Sequence, residues 1–297
     1  MSTILPFLFK NTPIRGRICR VNSVVDQIIK QHNYPPLISH LLAEATIITV
    51  ILASINNKSE QNTTTLQIKS DGPISLLTVD CFNQNKIRGY VGYDPHSYKK
   101  LIENETNPRL SELFTNGYLA ITLNHNLPNR YQGIVDLQLE TITACIENYF
   151  LQSEQIDTSL VVSTGQNYLK TGMQWCGGGI IIQKLPSEQN QIFALDNLWE
   201  EIKILTETVK IDELIDPILP KEDLLYRLYN QHEVLLFPEQ NFIFECRCSR
   251  EKAQSIFNTI PYEELDSFKI DDYIEIKCEF CGKKEIFYDH EHSGTNN

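Results

Sequence analysis

The stretches "FECRCSREK" (244–252) and "KCEFCGKK" (277–284) decide how this chain is read. Cys246 and Cys248 stand one residue apart, Cys278 and Cys281 two apart, and 29 residues separate the pairs. Four of the eight cysteines are committed to this pattern. Two sequence-local thiol pairs suit a tetrahedral metal cage, and zinc takes four thiolates at ~2.3 Å. Two other readings stand beside it. Cysteine buries readily as a small apolar residue, but Arg247, Arg250, Glu279 and Lys283 surround the pairs and make an apolar setting a poor fit. An iron–sulfur cluster fits less well, because the spacing matches neither common ferredoxin arrangement.

The two roles open to such thiols exclude each other. In a tetrahedral cage the ligand sulfurs lie roughly 3.8 Å apart, whereas a disulfide requires about 2.05 Å. Oxidising a pair therefore removes two ligands. Each cysteine has a partner within disulfide reach, although the one-residue loop at Cys246–Cys248 is strained and a strained disulfide is easily reduced. Arg247, Lys277 and Lys283 favour charged, reactive thiolates.

Outward from the cysteines, the chain divides by charge. The total is -12. Residues 1–186 carry +1, residues 187–240 carry -8 and residues 241–297 carry -5. The sequence has no basic stripe for phosphate contacts, which argues against a nucleic-acid partner. We expect three parts: an N-terminal core (1–186), an acidic linker of amphipathic helices (187–240) and a small C-terminal domain built on the four paired cysteines (241–297). The tail is near the lower size limit for folding alone. Structural zinc contributes roughly 10–16 kcal/mol in small modules, so its fold should depend on its metal.

The first part reads as α+β, with antiparallel sheets and packed helices. "NSVVDQIIKQH" from Asn22 and the apolar run 37–55 read as helices. "TTLQIKS", "PISLLTVDCF", "KIRGYVGY", the pair within 117–137, "TSLVVSTG" and "GGGIIIQKLP" read as strands. A helix over 140–155 places Ile142, Cys145, Ile146, Tyr149 and Phe150 on one stripe. Short neighbouring strands favour antiparallel pairing over a βαβ series. The run 37–55 is nearly long enough to span a bilayer, but His40 and Glu44 interrupt it, so it is expected to be a buried core helix and not a membrane span. The apolar run Ile4–Phe9 is too short for a signal peptide and lacks a basic flank. A cytoplasmic, reducing location is expected, where paired cysteines bind metal or do redox work.

In the linker, Leu195, Leu198, Trp199, Ile202, Leu205 and Val209 form one helical stripe with an acidic opposite face. Leu198, Trp199, Ile202 and Leu205 are the candidate docking residues. "PKEDLLYRLYN" repeats the theme with Leu224, Leu225 and Leu228. Helices this short are marginal alone. The linker is expected to fold or melt with what it docks on, the tail giving it a place to dock. Melting would expose its stripes and the core surface beneath them. In the tail, "REKAQSIFNTI" and "PYEEL" read as helices, "DYIEIKC" and "EIFYD" as strands, and the terminal "SGTNN" as disordered.

The remaining candidates read as structural. Cys19, Cys81, Cys145 and Cys176 are scattered and expected in the core, with no function assigned. "DHEH" (289–292) is expected to be solvated. "GQNYLKTG" (165–172) lacks the Gly that a phosphate loop needs before Lys170. "CGGGI" (176–180) is expected to admit close backbone approach. The sequence has no H-E-x-x-H and no G-x-S-x-G, and no catalytic residue is predicted.

At "CRCSREK", "CEFC", "YQGIVDL", "YFLQSEQ" and "GGGIIIQKLP" the chain resembles the 33-kDa chaperonin family, redox-regulated heat-shock holdases of the bacterial cytosol. The resemblance covers nearly the whole chain. It implies that Cys246, Cys248, Cys278 and Cys281 bind one zinc ion when reduced, in an inactive state. It further implies that oxidation pairs Cys246 with Cys248 and Cys278 with Cys281, releases zinc, unfolds tail and linker and yields a homodimer. That form would hold unfolding client proteins without ATP and protect them from aggregation. The redox step is stoichiometric, so the chain is not expected to be an enzyme. One departure is Glu44 in "LLAEATI", near which the resemblance leads us to expect Gly. The alternatives are a thiol-disulfide oxidoreductase, which lacks the βαβ context of its Cys-x-x-Cys, and a constitutive zinc-ribbon adaptor, against which the acidic tail counts.

Overall fold

The computed structural model describes residues 1–56, 62–124, 131–169, 172–186 and 192–293. The turn expected near Pro128, Lys170, the start of the linker and the last four residues lie outside them. The chain forms two compact units, Met1–Phe244 and Glu245–Asn297.

The first unit opens with two strands, β1 (Thr3–Phe9) and β2 (Ile14–Arg20). Their apolar residues alternate between faces, as the pleat requires. Leu5, Phe7, Phe9, Ile14 and Ile18 face one way, while Ile4 and Cys19 belong to a different core. Helix α1 (Asn22–Lys30) leads to α2 (Pro36–Ile55), which begins beside a proline pair. A meander follows: β3 (Thr63–Lys69), β4 (Ile74–Phe82) and β5 (Lys86–Tyr93). Helix α3 (Pro95–Asn104), capped by the Asp94 carboxylate accepting from Ser97 N–H, and the single turn α4 (Leu110–Leu113) connect to β6 (Tyr118–Asn124) and β7 (Tyr131–Asp136). Helix α5 (Ile142–Ser153) starts at Thr141, whose side chain accepts from Ala144 N–H. The long strands β8 (Asp157–Leu169) and β9 (Gly172–Lys184) pair in register from Asp157↔Lys184 to Leu169↔Gly172.

The acidic segment forms α6 (Ile192–Glu207), α7 (Ile211–Ile215) and α8 (Lys221–Tyr229). Three short strands follow, β10 (Val234–Leu236), β11 (Gln240–Asn241) and β12 (Ile243–Phe244). The strands of this unit make two sheets. The first runs β10-β1-β2-β9-β8, with β11 also on β1; the second runs β12-β5-β4-β3-β6-β7. The named pairs are antiparallel except β12 with β5.

Helix α2 packs against strands of both sheets. It is long and apolar enough to cross a membrane, yet most of its surface is buried inside the protein. A helix apolar on all sides belongs in such a place. Its interrupting Glu44 is half-buried, and the carboxylate accepts from both the N–H (3.1 Å) and the hydroxyl (2.7 Å) of Thr143 at the start of α5. Burial pushes its pKa up, and the two Thr143 bonds oppose that shift. Cys19, Cys81, Cys145 and Cys176 are all buried. Cys19, Cys81 and Cys145 belong to the core around α2, and burial raises the Cys19 thiol to about 12.

The acidic helices α6, α7 and α8, expected from the sequence to dock on the tail, instead cover the opposite face of the first sheet. Trp199, Ile202, Leu214, Leu224, Leu225, Leu228 and Tyr229 pack against Leu5, Phe7, Phe9, Ile14, Ile18, Ile180 and Ile182. Ile202 is wholly buried and Trp199 is 5% exposed, while Leu195, Leu198, Leu205 and Val209 line the edge of this contact. Asp196, Glu200, Glu201 and Glu207 remain exposed on the outer side of α6. A buried bond of 2.7 Å between the Thr206 and Tyr229 hydroxyls joins α6 to α8.

The second unit contains α9 (Arg250–Phe257), a 3-10 turn (Tyr262–Glu264), α10 (Leu265–Phe268) and a hairpin of β13 (Ile274–Lys277) and β14 (Lys284–Phe287). Its buried apolar residues are Ala253, Phe257, Leu265, Ile274 and Phe287. The Phe257 and Phe287 rings stack at 5.0 Å, and the Arg250 guanidinium lies 4.7 Å over Phe287.

Candidate metal centre

The four paired cysteines converge in the second unit. Cys246 and Cys248 lie in the extended segment just before α9, whose cap is Ser249, accepting from Lys252 N–H. Cys278 and Cys281 lie in the turn that joins β13 to β14. In that turn Cys278 N–H donates to the Lys283 carbonyl and Gly282 N–H to the Cys278 carbonyl, both at 2.8 Å. Gly282 has φ +67°, a left-handed conformation that side-chain-bearing residues adopt at a cost. The turn thereby points both sulfurs of a Cys-x-x-Cys to one spot.

All four Sγ atoms lie within 4.8 Å of one another. Cys246 Sγ is 3.6 Å from Cys278 Sγ, and Cys248 Sγ is 3.4 Å from Cys281 Sγ. These separations are far from a disulfide bond and near the roughly 3.8 Å edge of a zinc–thiolate tetrahedron. All four are free thiols and half-buried. Four close cysteines of this kind can hold a metal ion, and a sulfur-only donor set suits zinc among the common structural metals.

The electrostatics point the same way. At Cys246 burial opposes ionisation, but the Cys248 N–H and the neighbouring thiols outweigh it and lower the pKa. At Cys248 burial raises the pKa, the Cys281 thiol opposes the rise and Cys246 and Cys278 add to it; at Cys281 burial raises it and the other three sulfurs add to it. Several thiolates crowded together cannot all ionise without a cation among them. Of the basic residues singled out in the sequence, Lys283 is close enough to Cys248 and Cys281 for their charge to favour its own, but its ammonium is paired at 2.7 Å with Glu285. Arg250 is likewise paired with Glu285 and Glu291. "DHEH" lies outside the cluster: among the described residues, the grouped metal-ligating side chains are the four cysteines alone.

A family profile described as Hsp33 protein matches residues 2–288. The chain belongs to the Hsp33 family. Its similarity to curated Hsp33-type proteins spans nearly its full length. It is 36% identical to the 33 kDa chaperonin of Salmonella typhimurium over 95% of this chain and 90% of that protein. It is 34% identical to the 33 kDa chaperonin of Escherichia coli, with the same coverage. The fold also resembles the crystal structure of the 33 kDa chaperonin from Thermotoga maritima, with a TM-score of 0.75, 20% identity and coverage of 98% of this chain and 96% of that one. Hsp33 is a family of chaperones, not of enzymes.

Sequence reading missed two residues that matter locally, Gly282 and Arg20. Gly282 carries the Cys-x-x-Cys turn. Arg20 donates to carbonyls of the segment around α7. Gly282 was detectable as the glycine that follows a Cys-x-x-Cys; Arg20 carried no signal beyond a cation at a strand end.

Proposed function

We propose that this chain is a redox-switched, ATP-independent holdase. Cys246, Cys248, Cys278 and Cys281 hold one zinc ion in the reduced form. Bound zinc supplies a crosslink between the two cysteine segments and keeps all four sulfurs as thiolates. In that state α6, α7 and α8 cover the aromatic and aliphatic face of the first sheet, and clients find no surface.

Oxidation then changes the ligand set. Cys246 pairs with Cys248 and Cys278 with Cys281. Each disulfide forms as two sulfurs give up two electrons to a two-electron oxidant such as hydrogen peroxide, which takes up two protons and leaves as two waters. No cysteine of the four remains a thiolate ligand. The second unit has a five-residue apolar core among its described residues, and domains below about 70–80 residues rarely stand on such a core alone. Its loss removes the anchor at one end of the chain that leads back to α8, a stretch held on the first unit by the short strands β10, β11 and β12, by buried Phe242 and by the Lys10–Glu233 and Lys221–Glu239 ion pairs. The linker follows, its acidic faces repelling one another. Leu198, Trp199, Ile202 and Leu205, together with Leu5, Phe7, Phe9 and Ile18, become available to unfolding proteins. The oxidised protein dimerises. A reducing, cytoplasmic location keeps the resting form zinc-loaded, and the acidic tail disfavours nucleic acid.

The observation that carries this reading is the convergence of four free thiols within 4.8 Å in the unit with the smallest apolar core. The test is aggregation of a thermally unfolding client, measured with reduced, zinc-loaded protein and with peroxide-oxidised, zinc-free protein. We expect suppression only by the oxidised form. Equal suppression by both forms would refute the switch, and turnover in insulin reduction would favour a thiol oxidoreductase.

A further inference from the structure

The linker is attached to the first sheet by more than apolar contact. Arg20, the last residue of β2, is only 9% exposed. Its guanidinium donates to three main-chain carbonyls of one short linker segment. Nε reaches Leu214 O at 3.1 Å, Nη1 reaches Leu219 O at 2.6 Å and Nη2 reaches Glu213 O at 3.0 Å. Asn22 Nδ2 adds a bond to Ile215 O at 3.3 Å, and its Oδ1 accepts from Gly177 N–H at 3.0 Å.

The acceptors explain the arrangement. Helix α7 has five residues, too few to persist alone. The last carbonyls of a helix have no partner within it, and a cation there also meets the negative end of the helix dipole. A planar guanidinium offers several fixed donors, which a lysine ammonium cannot match. The rest of the segment is wired to itself. Glu213 accepts from Lys210 N–H and from Arg227, and Asp216 accepts from Ile218 N–H. Its polar tie to the body of the sheet passes through Arg20 and Asn22, with Lys221 donating to Thr3 Oγ1 at 2.7 Å just beyond it.

The sheet is shaped for this contact. A Cβ at Gly178 in β9 would lie 2.3 Å from Leu214 O, the carbonyl that Arg20 Nε bonds. Only glycine lets α7 settle so closely on the sheet. Two neighbouring positions on paired strands thus serve one carbonyl, since Arg20 pairs with Gly178 in the β2–β9 register.

We propose that Arg20, with Gly178 beneath it, is the core-side latch of the linker: a positioning pair that holds residues 211–219 on the first sheet and sets how readily the linker leaves. This inference rests on the reading of linker release as the activating step. When the segment is seated, a guanidinium and three carbonyls satisfy one another away from water. When it leaves, all four are rehydrated together, so release is abrupt. Oxidation at the cysteines therefore acts against a hold that lies in the first unit.

The experiment compares full-length wild type, Arg20→Met, Arg20→Lys and Gly178→Ala, each reduced and zinc-loaded, by amide hydrogen exchange. In Arg20→Met, exchange within 211–219 should rise by at least about tenfold, the factor that one lost charge-assisted hydrogen bond carries. Arg20→Lys should recover part of the protection. Gly178→Ala should release the same segment from the opposite partner, and it decides the matter if Arg20→Met fails to fold. Unchanged exchange within 211–219 would overturn the latch, as would a uniform rise across residues 1–244. The same samples, still carrying four unoxidised cysteines, enter the client aggregation assay. Local release with client holding supports both statements. Local release without client holding keeps the latch and refutes linker release as the activating step.

Discussion

The two faces of the first sheet are covered in different ways. One face meets α1 and α2 in a core that spans both sheets and holds 43 buried residues among those described. The other meets α6, α7 and α8 in a cluster of 14. The covers differ in kind. Helix α2 is mostly apolar and mostly buried, with His40 and Glu44 half-buried, whereas α6 is apolar on one stripe and acidic on the other. The first cover is fixed by its own composition. The second is retained by a limited stripe, the Lys184–Asp196 ion pair, the Lys221 bond to Thr3 and the Arg20 contacts, with the Thr206–Tyr229 hydroxyl pair joining α6 to α8. Under the proposed mechanism, exposing one apolar surface while the main core stays folded needs this asymmetry. Local opening draws on regions with few buried contacts, while the core stays shut.

Trp199→Asp should break the contrast most strongly. It removes a nearly buried indole and places a carboxylate against Phe and Ile side chains. Loss of a buried aromatic costs about 3–5 kcal/mol before the charge is counted. We expect the reduced, zinc-loaded variant to show rapid proteolysis within 192–229 and partial suppression of client aggregation. A fully silent reduced variant would mean that the stripe is not the cover.

Gly282→Ala acts on the small second unit. Its left-handed backbone would cost a side-chain-bearing residue about 1–2 kcal/mol, and the strain falls on the Cys278–Cys281 turn. We expect roughly tenfold weaker zinc retention in competition with a chromogenic chelator, with the melting of the first unit unchanged. Retention equal to wild type would show that the turn tolerates the substitution and does not set the geometry of the cluster.

Glu44→Gln has the smallest effect and probes the closed face. Burial raises the folded-state pKa of Glu44 above its ordinary 4.5. Its contribution is therefore full below pH 4.5 and is lost as pH rises through the folded pKa. Glutamine keeps an oxygen to accept from Thr143 and carries no charge. The variant should melt higher than wild type at pH 7, with the gap closing as pH falls towards 4.5. Equal melting temperatures at pH 7 would mean that solvation around Glu44 offsets its burial.

Much of this was legible in the sequence because period and spacing are local signals. The stripe from Leu195 to Val209 and the pattern Cys-x-Cys with Cys-x-x-Cys need no partner to be seen. Helix α2 was legible from composition, and "CGGGI" as a site of close approach, with Gly178 giving its reason. The strands β1 and β2 were not read. "ILPFLF" is apolar at every position because both faces of its sheet are buried, so alternation is hidden. With those strands unread, the sheet could not be identified as the linker's receiving surface. Arg20 was invisible for a related reason. Its partners are carbonyls about 200 residues away, and a carbonyl has no sequence identity. The capping of α5 by Glu44 likewise depends on a contact 99 positions distant.

The most direct measurement follows zinc release with a chromogenic chelator, beside hydrogen exchange of residues 192–229 and 245–293, during peroxide treatment of the zinc-loaded protein. Zinc release and loss of protection in both segments should proceed together, while α2 stays protected. Complete zinc loss with both segments still protected would contradict the proposed switch.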